Sequence, residues 1–346
     1  MGRAAEAAAI RRTLDGARLV TVTGLPGVGK TAVSLEAASA VAGNFADGTL
    51  LVRLDSLQDE VLLPHTIAAA LRLPDRFASS GLEVLVDQLL DRHMLLVLNT
   101  CEHLLGACAA LVAALLPRCP EVQILATSRE PLRVPGEAAV AIRPLPLADA
   151  VALFSQRVAE AQVQIAPENR AAVASICLQL DKLPLAIELA AGELAAGQPP
   201  SASLAELLAR LEAGCDLSRG PGEPVARHQT LRTAIGWSHQ LCTPSERLLW
   251  ARLSVFTGPF RLRDAQDVCT TSQLPDDAVT TGLALLTERS VLLAEDDGRP
   301  CFVLPVTLRA YGYQMLRRLA QDEEFTERHR RWQNGRRPDR GVPAGK

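Results

Sequence analysis

The eight residues "GLPGVGKT", Gly24 to Thr31, match G-x-x-x-x-G-K-[ST] at every position. This pattern constrains the fold, because it acts only where a strand turns abruptly into a helix. Here "RLVTVT" (18–23) precedes it as a strand candidate, and "TAVSLEAASAVAG" follows with the pattern of a helix. Glycines let the loop turn so that successive N–H groups face a phosphate chain at the positive end of the helix. Lys30 is placed to reach the β- and γ-phosphates and Thr31 to ligate Mg²⁺, with Gly24, Gly27, Val28, Gly29 and Ala32 forming the rest of the cradle. The alternative is a glycine-rich turn that binds nothing. Motif and context together argue against it, as does lysine usage: Lys30 is one of three lysines, with Lys182 and Lys346, beside 33 arginines.

The first 145 residues alternate strand-like and helix-like runs. Strands are expected at 18–23, 48–54, 94–99, 122–128 and 138–145, with helices between them, including 58–72, 81–92 and one over "EHLLGACAALVAALLP". Such alternation predicts an α/β P-loop NTPase fold, a parallel sheet covered by helices. From 147 onward the pattern is helical, with candidates at 147–161, 167–180, 184–196 and 203–213. A Gly/Pro-rich loop at 214–228 then marks the best internal boundary. Beyond it, "TPSERLLW" announces a helix with Thr243 as N-cap, Pro244 in the first turn and Glu246 closing a capping box. Helices at 276–288 and 306–321 flank two apolar runs, "SVLLAE" and "CFVLP", and helices ending in such a hairpin predict a winged-helix domain.

The run "MLLVLNTCEHLL" (94–105) ends a strand on Asn99, where a P-loop protein places a metal-holding acid. Two readings are open: Asn99 is a neutral metal ligand, or it merely begins a turn. Glu102 is the nearby carboxylate that could substitute, with a helix N-terminal position as its plainer explanation. Arg129 follows the fourth strand, at the edge where open α/β sheets bind ligands.

At this point the chain resembles a known family. "RLVTVTGLPGVGKT", "LLVLNTCEHLL", "ILATSREPLRVPGE", "LPLAIELAA" and "RHQTLRTAIGWSHQLCTPSERLLWARLSVFTGPF" resemble, in order, blocks of NB-ARC-type STAND ATPases, as found in bacterial LuxR-type and antibiotic-regulatory transcriptional activators. The resemblance implies five segments: a nucleotide-binding domain (1–146), a helical ARC1-like domain (147–214) and a winged-helix ARC2-like domain (215–305). The beginning of a C-terminal helical region (306–333) and a disordered tail (334–346) complete the chain. It further implies that Arg129 reads the terminal phosphate, that Pro184 packs on adenine, and that Gly2 and Arg3 of "MGRAAE" lie against it. Met1 then occupies a valine position, which suggests an internal start site within a longer frame.

Three positions depart from the family pattern. Asn99 and Thr100 replace the aspartate and asparagine of "LDNCEHL", and Lys182 replaces the glycine of "GLPLA". The tail "NGRRPDRGVPAGK" lacks apolar periodicity, as after a frameshift or truncation.

The function implied is an ATP/ADP-binding regulatory switch with weakened Mg²⁺ use and at most slow hydrolysis, through Asn99, Glu102 and Arg129. It would be part of, or derived from, a transcriptional regulator. An ATP-consuming P-loop enzyme and a degenerate non-signalling fragment are the alternatives. Expected partners are adenine nucleotide, further copies of the chain in the ATP state, and effector or sensor domains or their carriers. A formal net charge of −3 gives no reason to expect nucleic-acid binding. Arg227, His228 and Arg232 read as a solvated basic cluster, so direct DNA contact is not expected. Eight scattered cysteines without CxxC spacing read as buried thiols, and with no signal peptide or apolar run of membrane length the expectation is cytoplasmic.

Overall fold

In the computed structural model the described residues are 2–72, 81–160, 165–196, 200–212, 235, 236, 238–296 and 300–335. They fall into two compact units, the first ending at Glu212 and the second beginning at Ile235. Met1, the 214–228 loop, Arg227, His228, Arg232 and the tail from 336 lie outside the described residues.

The first unit is built on β1 (Leu19–Gly24), β2 (Thr49–Arg53), β3 (Met94–Asn99), β4 (Val122–Thr127) and β5 (Glu137–Ile142). All pairings are parallel, in the order β2-β3-β4-β1-β5. β1 and β3 are buried at every residue, which explains why they lack polar alternation. The edge strands β2 and β5 are partly exposed.

Around the sheet lie α1 (Ala4–Leu14), α2 (Lys30–Val41), α3 (Leu63–Ala70), α4 (Gly81–Leu89) and α5 (Leu105–Arg118). Leu85, Val86 and Leu89 of α4 and Leu111, Val112 and Leu115 of α5 share one core with Leu96, Leu98 and Ile124 of the sheet. Chain direction then positions the site. β1 leads out to β2 at one edge, whereas β4 crosses β1 to reach β5 at the other. The reversal falls between β1 and β4, where an open sheet presents a crevice at its carboxyl ends.

Two helix starts differ from expectation. The helix expected over 58–72 is broken: Asp59 caps a 3₁₀ turn at Glu60–Leu62, and α3 begins only at Leu63, with Pro64 in its first turn. α5 starts at Leu105, so Glu102 lies in the turn before the helix rather than at its first position. Four helices complete the unit: α6 (Leu147–Glu160), α7 (Arg170–Gln179), α8 (Pro184–Ala196) and α9 (Pro200–Glu212). α6 packs on α7 and α8, and α9 on both α7 and α8.

The second unit contains α10 (Pro244–Leu253), α11 (Leu262–Cys269), α12 (Asp276–Glu288), α13 (Val306–Arg318) and α14 (Asp322–Gly335). Between α12 and α13, β6 (Leu293–Asp296) pairs antiparallel with β7 (Pro300–Val303). The capping box forms as its sequence dictates: Glu246 N–H donates to Thr243 Oγ1 at 3.3 Å and Thr243 N–H to Glu246 Oε2 at 2.6 Å. Trp250, fully buried, donates its indole N–H to Leu308 O at 3.0 Å and fastens α10 to α13. Asn334 and Gly335, assigned above to the tail, are instead the last residues of α14. No described helix is long and apolar enough to cross a membrane. Of the seven described cysteines, six are buried and Cys301 is half-buried.

Candidate functional site

Gly24, Asn99 and Thr127 end the neighbouring strands β1, β3 and β4, so the phosphate loop, the 99–102 turn and the 127–129 segment meet at one edge. The loop needs its glycines for distinct reasons. Gly24 has φ +146°, and a Cβ there would stand 2.5 Å from Ile142 O on β5. Gly27 has φ +73° and faces the Leu185 side chain, while Leu185 N–H donates to Gly27 O at 3.2 Å. α8 therefore begins against the loop, and a Cβ on Gly29 would lie 3.9 Å from Pro184 Cγ.

Gly29 is the N-cap of α2, in the left-handed conformation and without a capping side chain. The first-turn N–H groups of α2 thus lack an in-helix acceptor and a side-chain cap, which is how a helix start receives an anion. Lys30 Nζ donates to Gly24 O at 2.8 Å and Leu25 O at 3.2 Å. Burial lowers its pKa to about 8, Glu102 opposes the shift, and Arg129 adds to it. An ammonium held by neutral carbonyls alone suits an incoming phosphate, so the loop fits a nucleotide.

Thr31 Oγ1 donates to Asn99 Oδ1 at 2.7 Å, and Thr127 Oγ1 donates to the same oxygen at 3.1 Å. Asn99 Nδ2 donates to Thr100 Oγ1 at 3.0 Å, and Thr100 N–H to Thr127 Oγ1 at 2.9 Å. Asn99 is thus buried and bonded to the loop threonine rather than only starting a turn. It accepts the protons of both Thr31 and Thr127, which leaves the lone pairs of the Thr31 hydroxyl oxygen for a cation, but supplies no charge of its own. Thr127, absent from the sequence-based candidates, ties this network together. Its position at the end of the fourth strand, two residues before Arg129, was the available signal.

Arg129 is buried rather than solvated, and its Nε–H donates to Glu102 Oε1 at 3.0 Å. Arg3 is also buried, donating from Nη2 to Val28 O at 2.8 Å and from Nη1 to Glu6 Oε1 at 2.6 Å. It therefore braces the phosphate loop from α1. Gly2, at φ +74°, packs beside Asp149 of α6. Lys182 lies in the α7–α8 turn at φ +56°, with its carbonyl accepting from Leu145 N–H at 3.1 Å.

No family model matches the chain. It is 40% identical over 312 residues to the Mycobacterium tuberculosis protein named "Putative HTH-type transcriptional regulator Rv0890c", covering 89% of this chain and 35% of that protein. The chain thus spans about a third of the length of that relative. To the "Uncharacterized protein Rv0894" of the same organism it is 35% identical over 351 residues, covering 100% of this chain and 88% of that protein. Among solved structures it is similar to the Walker-type ATPase PABY2304 of Pyrococcus abyssi, with a TM-score of 0.60 and 12% identity. That match covers 90% of this chain and 95% of the other and is a likeness of fold.

Proposed function

Because the chain belongs to the family of the Mycobacterium tuberculosis protein Rv0894, we propose that it is a regulatory module switched by adenine nucleotide. In this reading it is an NB-ARC-type STAND module related to LuxR-type regulators, binding ADP or ATP at the phosphate loop. The relative named as an HTH-type transcriptional regulator supports placing it in transcription control. The observation that carries the reading is the loop itself. It combines an uncapped helix start with a lysine that rests on two backbone carbonyls and feels the charges of the buried Arg129–Glu102 pair.

In this reading Gly24, Gly27, Val28, Gly29, Lys30, Thr31 and Ala32 hold the phosphates, and Gly2, Arg3 and Pro184 form the adenine side. Thr31 and Asn99 would hold Mg²⁺, which supplies charge to the phosphates; with a neutral Asn99 that hold is weak. Hydrolysis is accordingly slow, far below the ~1–100 per second of kinases. The helices α6–α9 act as the ARC1-like element. The helices and hairpin of the second unit act as a regulatory winged helix rather than a DNA reader. Self-association in the ATP state and coupling to sensor or effector domains complete the scheme, in the cytoplasm.

The test is equilibrium titration of the full chain with ADP and ATP. Micromolar binding by the wild type and its loss in Lys30→Ala are expected. Unchanged binding in Lys30→Ala would show that the phosphate loop is not the nucleotide site.

A further inference from the structure

Glu102 and Arg129 form the most buried ion pair among the described residues, with side chains 8% and 5% exposed. Glu102 stands in the turn between β3 and α5, and Arg129 follows β4 by two residues. Arg129 is therefore engaged by a carboxylate before any phosphate reaches it. The other carboxylate oxygen, Glu102 Oε2, is buried with no hydrogen-bond donor among the described residues. Its charge is not dispersed by a second donor, and burial extends the reach of that charge.

Asn99 brings no charge of its own to offset that carboxylate and holds a cation only weakly, because its amide is neutral and bonded at both ends. Glu102 is also the carboxylate whose field reaches Lys30. The loop amides and Lys30 can hold a diphosphate while the Glu102–Arg129 pair stays closed. A third phosphate meets a different situation. It draws on Arg129, whose Nε–H Glu102 already holds, and brings further negative charge toward that carboxylate.

We infer that Glu102 makes this pocket selective for nucleoside diphosphate over triphosphate, by occupying Arg129 and repelling the terminal phosphate. The inference rests on the nucleotide-binding reading above. It assigns Glu102 a role in specificity.

The test is displacement of N-methylanthraniloyl-ADP by ADP and by ATP, in EDTA, from the wild type, Glu102→Gln and Lys30→Ala. Glutamine retains an oxygen for Arg129 Nε–H but removes the charge. The ATP-to-ADP affinity ratio is expected to rise about tenfold in Glu102→Gln, a magnitude ordinary for one close charge. A ratio within about threefold of the wild type, or one shifted toward ADP, overturns the inference, since that change is too small for a close buried charge. Should Glu102→Gln fail to fold by circular dichroism, Glu102→Ala reads the same ratio with the same expectation. A flat ratio with binding lost in Lys30→Ala removes the role of Glu102 alone. Undiminished ADP binding in Lys30→Ala removes the nucleotide site itself.

Discussion

Thr31 donates its hydroxyl proton to Asn99 Oδ1 at 2.7 Å, so the loop threonine is oriented by a neutral carbonyl. The geometry that a carboxylate would impose on Thr31 is kept, while the charge that would favour a divalent cation is missing. Asn99→Asp should restore that charge without rebuilding the network, because the Thr100 hydroxyl can turn from acceptor to donor. The expected outcome is a gain of about tenfold or more in the Mg²⁺ enhancement of ATP affinity. Titration with and without EDTA measures it. A wild type whose affinity already depends on Mg²⁺ as strongly as the variant's would refute the weakened-metal reading.

Two residues beside the site occupy left-handed backbone that suits neither: Thr100 at φ +70° and Lys182 at φ +56°. Thr100 has compensation, since its N–H and hydroxyl both join the Asn99–Thr127 network. Lys182 contributes its backbone, donating N–H to Cys177 O at 2.9 Å and accepting from Leu145, and a glycine could make both bonds. Lys182→Gly is therefore expected to stabilise the first unit by about 1 kcal/mol. In calorimetry that is a rise of roughly 2–4 °C in Tm for a unit of this size. A lowered Tm would mean that the side chain gains more from its packing than the backbone loses.

These two positions also show what the sequence could and could not reveal. The motif "GLPGVGKT" announced strand, turn and helix together, and β3 and α8 occur at their expected bounds. Those elements are legible because apolar runs, proline and glycine act locally. The buried state of Arg129 was not legible, because its partner Glu102 is 27 residues away and a lone arginine ordinarily reads as solvated. Thr127 was missed for a similar reason: a threonine ending a strand looks like β-propensity until Asn99 and Thr100 converge on it. The true start of α5 was obscured by continuous apolar sequence through Leu104 and Leu105. It decides whether Glu102 serves a helix or an arginine.

Gly24 and Gly29 allow backbone conformation and space to be separated. Both have positive φ, at +146° and +97°, but a Cβ on Gly24 would lie 2.5 Å from Ile142 O, whereas at Gly29 the nearest atom is 3.9 Å away. Gly24→Ala must force β1 from β5 at the pair Gly24–Ile142, so it should cost about 2–3 kcal/mol of stability, in the range of overpacking. Gly29→Ala meets conformational strain alone and should cost about 1–2 kcal/mol. Urea unfolding of both variants gives the comparison. Equal losses would show that strain, rather than the close approach to β5, is why glycine stands at position 24.

His329 gives the second unit an acid-sensitive core. The ring packs against Phe256 at 4.9 Å and Trp332 at 5.2 Å, centroid to centroid, and burial lowers its pKa below 6.5. The unfolded chain therefore binds this proton more tightly than the folded one. The stability from a neutral His329 is present above about 6.5, the unfolded value, and declines as pH falls below it. His239 shifts in the same direction, through burial and then the nearby Arg247, so it adds to the same acid loss. His329→Phe keeps an aromatic ring in the cluster and removes one titrating group. The Tm of the second unit should then fall less between pH 7.5 and pH 5 than in the wild type, with the remainder due to His239. An identical fall in both proteins would show that His329 is protonated in the folded state without penalty.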